Sequence, residues 1–391
     1  MKYLTLLCGL LLALPLFATT DTTYTLEVQL RPRAEWRDGY NRVNQPSDRG
    51  QLFLQQRSRI GLTASFPRWE VKIGLQEVRS NTEFSPGASA PALLGTYEAW
   101  GAWKPTDRTR LIVGRQAVKF DDERVVGALD WAQTGRFLDA ARLNHRSPLG
   151  ATSVVYAWDL AENMTRTMVH HAWEGSGHRL AGLAYERAIY TPGEGVRWRE
   201  LTLGLNWKYR ASEQWAFGGE ADAQTHSDRT LSEDGLGSLL SVEAHFTDGG
   251  KGRTTAGAVR LNGGTARFDA SLGTNHAHYG WMDHFYVGAA TNGVAQLRLG
   301  HVRPFGPAQW KAVFGVIYHR FYSDDFAGLY GDEIDAHLTF RPSPQLRFDL
   351  GQSVLFSTPE LAESQGSFQS DDRALMKWSW LSLSFFPKWN L

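Results

Sequence analysis

The sequence predicts an all-β protein, a transmembrane antiparallel β-barrel of about 18 strands with short periplasmic turns and long extracellular loops. Three observations lead there. Apolar and polar residues alternate with period two along most of the chain, and the polar face carries charges. The connections between these runs alternate between short and long. After the first 20 residues no apolar run is long enough for a spanning helix. The mean hydropathy of −0.36 is compatible with a barrel, because alternating strands average out over any window.

Residues 1–20 read as a signal peptide. Met1-Lys2 is a short positive start, Leu4 to Phe17 is apolar, and Leu16-Phe17-Ala18 offers a small residue for cleavage. Residues 21–391 then make one barrel domain. Leu6-Leu7-Cys8-Gly9 also permits a lipoprotein reading, but most of the apolar run follows the cysteine. Cys8 is the one cysteine of the chain, so the mature protein is expected to have no disulfide. A secreted chain of this length then needs another constraint, such as a membrane or a closed sheet.

The strands follow in order. Tyr24, Leu26, Val28 and Leu30 share one face, against Glu27, Gln29, Arg31 and Arg33. Leu52, Leu54, Ile60, Leu62, Ala64 and Phe66 oppose Gln55, Arg57, Arg59, Thr63 and Ser65. Trp69, Val71, Ile73 and Leu75 oppose Glu70, Lys72 and Gln76. Leu201, Leu203, Leu205, Trp207 and Tyr209 oppose Glu200, Thr202, Asn206 and Lys208. Ile334, Ala336, Leu338 and Phe340 oppose Glu333, Asp335, His337 and Thr339, and Leu346, Phe348 and Leu350 oppose Arg347, Asp349 and Ser353. Such runs cover roughly 10–14 residues, enough to cross a bilayer when tilted. The aromatic-rich end, with Trp378, Trp380, Phe385, Phe386 and Trp389, suits a closing strand that reaches an interface.

Short turns fall at Pro67-Arg68, Lys104 to Asp107, Ser147 to Gly150, Ala211 to Glu213, Arg303 to Ala308 and Pro342 to Pro344. Long polar connections fall at Arg37 to Gly50, Arg79 to Leu93, Ala117 to Arg136, His226 to Gly235, Gly263 to Asn292 and Thr358 to Arg373. The strand count takes Gly263 to Asn292 as one loop; a strand over Arg267 to Thr274 shifts it.

With 41 basic and 41 acidic residues the chain lacks the basic excess of a nucleic-acid binder. A soluble β-sandwich also alternates, but its inner face packs dry. Here the charged face recurs on nearly every strand, so the interior must be wet, as in a large barrel.

Several groups are candidates for chemistry. Arg31, Arg33, Arg57 and Arg59 fall on one wall of the lumen, where guanidinium groups attract carboxylates; equally, they pair with Glu27, Glu35 and other wall acids. The opposite signs on the wall include Glu98, Glu220, Asp222 and Glu243. Ala117 to Arg136 carries Asp121, Asp122, Glu123, Arg124, Asp130 and Trp131, and reads as an outside loop that folds into the pore. His276, His278, Asp283 and His284 have metal-ligand character but no second cluster supports them, so no metal and no cofactor is expected. Ser241, His245, His319 and His337 show no triad spacing, and no enzyme is expected. Trp158, Trp173 and Trp207 stack on sugars if they face the lumen, or join the lipid-facing girdle if they do not.

Some stretches resemble the alginate-export family of outer-membrane proteins. They are Leu30 to Tyr40, Gln55 to Leu62, Gly114-Arg115-Gln116, Arg124 to Gly127, Asp130-Trp131, Arg136 to Ala140, Asn275-His276 and Tyr279 to Asp283. The resemblance implies an 18-stranded monomer in the outer membrane of a Gram-negative bacterium. It also implies an arginine-lined constriction that passes an anionic, alginate-like carbohydrate. The positions it carries over are Arg31, Arg33, Arg57, Arg59, Arg115, Arg124 and Arg136. The acids on the lumen face depart from that pattern. The expected partners are membrane lipid and an anionic poly- or oligosaccharide, with periplasmic partners for export or uptake. A general porin for small hydrophilic solutes and a plugged surface-binding barrel are the alternatives.

Overall fold

The computed structural model describes residues 22–44, 48–82, 93–228, 235–264, 267–285, 293–366 and 375–391. The expected signal peptide lies outside them. The strands are β1 (Thr23–Asp38), β2 (Gln51–Ser65), β3 (Trp69–Thr82), β4 (Leu93–Thr106), β5 (Thr109–Gln116), β6 (Leu138–Ser147), β7 (Gly150–Asp159), β8 (Met164–Gly175) and β9 (His178–Thr191). They continue as β10 (Gly195–Arg210), β11 (Trp215–Asp228), β12 (Gly235–Thr247), β13 (Arg253–Leu261), β14 (Val294–Phe305), β15 (Ala312–Tyr322), β16 (Leu329–Ser343), β17 (Leu346–Ser357) and β18 (Leu375–Phe385). Each pairs antiparallel with the next, and β18 returns to β1 with Arg33 opposite Ser382. No strand edge is left open, which is the condition for a sheet in lipid.

The last strand is interrupted once. Pro387 has no N–H to offer the ladder, and pairing with β1 resumes only at Lys388–Asn390. Across the gap the Val28 N–H donates to the Pro387 carbonyl at 3.1 Å. The two pieces make one closing strand, and the count is 18.

Short and long connections alternate only in part: those after β1, β3, β5, β13 and β17 are long, but on the same end β7 joins β8 through 160–163 and β9 joins β10 through 192–194, as tightly as the turns opposite. A further tight turn joins β8 to β9 at Ser176-Gly177, where Gly177 at the second turn position has φ +77°, a conformation that favours glycine. Nothing more than that dipeptide marks it in the sequence. The connection from β13 to β14 holds no strand among its described residues, only a 3₁₀ turn at Asn275–Ala277. Phe268, Ala270 and Leu272 point into a packed core instead of alternating across a sheet.

The two faces follow the period-two reading. Leu203, Leu240, Val242, Leu299, Leu350 and Leu381 stand exposed on the outside. Arg31, Arg57, Glu200, Glu333 and Asp335 on the opposite parity are buried. An apolar belt of this extent is stable only against lipid. Rings gather near the short-turn end, where Trp69 stacks on Trp103 and Trp215 leans on Phe246. Trp158, Trp173 and Trp207 share the outward parity of Tyr156, Val169 and Leu205, so they belong to the lipid-facing side. Trp378 and Trp380 correct the reading of the last strand: both face inward, and Trp378 is wholly buried. Of the five rings at the aromatic-rich end, Phe385 and Trp389 are the ones exposed outside.

Leu203 sits near the middle of β10 and is 54% exposed. Leu203→Arg is expected to destabilise the folded barrel by about 2–4 kcal/mol in lipid. Denaturant titration in bilayers checks this; an unchanged midpoint would contradict the outward placement.

Candidate functional site

The lumen is shaped by two connections that turn inward. The first follows β5 and runs through residues 117–137. The second is described over residues 267–285 and precedes β14. Val118, Phe120, Val125 and Val126 of the first pack with Phe268, Leu272, Tyr279 and Met282 of the second. This apolar core lies inside the barrel.

The first loop is held at one side by the arginines of β1 and β2. Arg31 and Arg57 face each other directly in register, a like-charge pair that needs compensation. Backbone carbonyls supply it. Arg31 donates to the carbonyls of Asp130 at 2.8 Å, Trp131 at 2.9 Å and Ala132 at 2.8 Å, and to the Gln133 side chain at 3.1 Å. Arg57 donates to the carbonyls of Asp130 and Ala132 at 3.0 Å each. Arg33 reaches the Trp131 carbonyl at 3.0 Å and Glu35 at 2.6 Å. The Asp130 carboxylate lies across Arg57 at 3.1 Å and Arg59 at 3.2 Å. Arg59 also lies over the Tyr97 ring at 3.6 Å. Desolvation raises the Asp130 carboxyl, but Arg57, Arg31 and Arg59 outweigh it and hold the group below the usual carboxylate range.

The same loop reaches the other side of the barrel through its acidic run. Asp121 accepts from Arg179 at 2.5 Å and faces His170 at 3.0 Å, and Asp122 accepts from Lys208 and from Asn206. Burial raises the Asp121 carboxyl, and His170 and Arg179 bring it below the ordinary value. Arg124 pairs with Glu243 at 2.8 Å and Glu220 at 3.5 Å. The loop therefore bridges the lumen from β1 and β2 to β8 through β12.

Arg136 belongs to neither wall. It donates to the carbonyls of Gly127, Ser271 and Gly273 and so ties the two inward loops together. Arg115 stands apart from the group. It shares the parity of exposed Val113 and makes a two-pronged pair with Asp139 at 2.8 and 2.7 Å. Six of the seven arginines read from the sequence thus converge on the inward loops, and the seventh lies at the rim.

Arg187 and Arg298, which the sequence reading passed over, also face the lumen, as does Lys72 on the polar face of β3. Arg187 pairs with Glu200 at 3.0 Å and Asp269 at 2.5 Å; Arg298 pairs with Glu243 at 2.6 Å; Lys72 pairs with Glu98 at 2.6 Å. Their parity along the strands is the signal that marks them. Beneath the loops lies a cavity of about 1060 Å³, lined by Arg124, Lys208 and Arg298 together with Glu220 and Glu243. A second of about 600 Å³ meets Arg110, Arg142 and Arg179. Both signs line the first, so its walls carry opposed charges without one dominant field.

The histidines of the second loop point in different directions. His276 meets Asp283 at 3.0 Å, His278 meets the Asp122 carbonyl at 2.7 Å, and His284 meets the Gly39 carbonyl at 2.7 Å. Among the described residues no three histidine, cysteine or acidic side chains are arranged for a metal ion. His319 lies between Gln296 and Asp335, and His245 lies beside Thr255. Among the described residues neither hydrogen-bonds to a serine.

Solved structures share this fold at low identity. Pseudomonas aeruginosa OccK11 (OpdR) is 10% identical, with a TM-score of 0.65 over 95% of this chain and 97% of that one. Acinetobacter baumannii OccAB3 is 10% identical, with a TM-score of 0.66 over 95% and 100%. Pseudomonas aeruginosa OpdK, solved with vanillate, is 12% identical, with a TM-score of 0.61 over 94% and 99%. These neighbours are 18-stranded outer-membrane porins. No protein-family model and no curated protein matches the sequence, so the alginate-export resemblance gains the shared barrel and not the family name.

Arg57→Ala removes one of the two guanidinium donors on the Asp130 and Ala132 carbonyls, Arg31 remaining as the other, and is expected to cost about 0.5–1.5 kcal/mol for each hydrogen bond lost. Hydrogen exchange across residues 118–136 should quicken while the barrel stays folded; unchanged exchange would contradict the anchoring role. Asp130 has a depressed carboxyl, so its contribution is complete above about pH 4 and is lost as pH falls further. Loss of protection at 130–134 already at pH 6 would contradict that assignment.

Proposed function

We propose that the protein is an outer-membrane channel for small hydrophilic solutes, monomeric, with paired lumen charges and a mild preference for anions. One observation carries the reading: each of the seven arginines expected to line a polyanion conduit is already engaged by a loop carbonyl, a wall acid or a loop acid. Wall acids also meet Arg187, Arg298 and Lys72, while Arg142 donates to Asn144 and Ser153 and, among the described residues, pairs with no acid, so the uncompensated positive charge left to draw a long polyanion is small. A wet, charge-paired lumen crossed by two loops suits solutes of the size of the vanillate found with OpdK. Closure within one chain supports a monomer surrounded by outer-membrane lipid.

A second reading follows the alginate-export resemblance. The patch of Arg31, Arg33, Arg57 and Arg59 favours it, because four guanidiniums on two adjacent strands are a strong local attractor for carboxylates. On that reading Asp130 and the loop yield to an anionic carbohydrate.

Liposome swelling separates the two. The small-solute channel admits monosaccharides and small carboxylates, excludes oligosaccharides, and is unaffected by added oligouronate. Inhibition of swelling by oligouronate would overturn it in favour of the second reading. Arg57→Ala combined with Arg59→Ala is expected to slow small carboxylates relative to neutral sugars of equal size. An unchanged ratio would remove these arginines from selectivity.

A further inference from the structure

We infer that Glu333 is a positioning residue of the channel: its carboxylate, seated against the backbone of Gly280-Trp281-Met282, fixes the second inward loop across the lumen and so sets the largest solute that passes. The inference rests on the channel reading above.

Glu333 faces inward on β16, beside His319 of β15, and is 1% exposed. Its Oε1 accepts the N–H of Trp281 at 2.5 Å and of Met282 at 3.0 Å. Consecutive main-chain N–H groups form a concave donor pair that suits a single carboxylate. The loop is shaped for the contact. Gly280 has φ +81°, and a Cβ there would lie 2.7 Å from Glu333 Oε2 and 2.9 Å from its Cδ. Both the conformation and the close approach require glycine.

Charge pairing sets Glu333 apart from its neighbours on the wall. Glu200, Glu243 and Asp349 each meet an arginine. Among the described residues no lysine or arginine pairs with Glu333, and the adjacent Asp335 is the partner of His319 at 3.1 Å. A buried carboxylate without a cation is costly unless hydrogen bonds replace it. Here the loop supplies two, both to Oε1, while Oε2 has no hydrogen-bond partner among the described residues.

The other end of the same segment is fixed far away. Asp269 pairs with Arg187 of β9, and its N–H and carbonyl bond the Gln224 side chain of β11 at 2.6 and 3.1 Å. Residues 269–282 thus form a strut from β9 and β11 to β16, with Glu333 as its far seat. Held there, Trp281 packs toward His337 at 5.5 Å and Trp380 at 6.4 Å. Loss of the seat loosens that end of the strut, which the Asn41 N–H on the Met282 carbonyl and His284 on the Gly39 carbonyl still tether, while the barrel keeps its strand pairing.

The test uses two variants that attack the contact from opposite sides, Glu333→Ala on the wall and Gly280→Ala on the loop. The second touches no strand, so it survives any folding defect of the first. The reporter is Ser353→Cys, with Cys8→Ser to keep it unique; Ser353 is wholly buried on β17 opposite Asp335. Both variants are expected to speed reaction of the reporter with a bulky, membrane-impermeant thiol reagent by about tenfold. They should also let larger sugars into proteoliposomes, at an unchanged unfolding temperature of the barrel. Reporter rates and size limits equal to the parent in folded protein would overturn the inference. Parent liposomes that admit no solute would sink the channel reading alone, and the reporter rate would still decide the role of Glu333.

Discussion

In lipid every backbone donor and acceptor has to be paired within the protein, and the rest of this structure follows from that condition. Eighteen strands meet it by closing, with β18 against β1, and the outer face is then free to be apolar. A barrel of that circumference cannot be filled by wall side chains alone. Its interior is therefore wet at the margins and must be occupied by something else. Two inward connections occupy it, bringing a second apolar core around Phe268, Leu272 and Met282 and a set of polar main-chain groups.

The charges of the wall are arranged for those main-chain groups. Opposed Arg31 and Arg57 would repel across the strand pair if the carbonyls of residues 130–132 did not face them. Glu333 does the reverse on the far wall, accepting from main-chain N–H groups. Both walls use the two ends of the peptide dipole, and the loops hold their positions by backbone as much as by side chain. What a solute meets is then a set of pairs, such as Arg298 with Glu243 and Arg187 with Glu200. Pairs of that kind steer modestly and leave discrimination to the dimensions of the gap.

The walls were legible in the sequence because parity alone assigns a face. Leu203 against Thr202, or Ile334 against Asp335, needs no information beyond the neighbouring residue. The same rule exposes Arg187 and Arg298, which motif resemblance passed over. Composition misled where it ignored parity: Trp378 and Trp380 read as interfacial rings, and their even positions turn them into the lumen. The loops were legible only in part. Their length and charge mark residues 117–136 as a candidate to fold inward, but the meeting of Asp130 with Arg57, 73 positions away, depends on strand register and closure. The seat of Gly280 on Glu333 depends on the same long-range geometry, and no local pattern announces it.

The most direct test of the account is the single-channel current of the purified protein in a planar bilayer under a salt gradient. The account predicts steady openings with a small reversal potential on the anion-selective side, since the cations of the lumen are nearly all compensated. Strong anion selectivity would contradict the pairing of the arginines. A folded barrel with no current would contradict the channel itself.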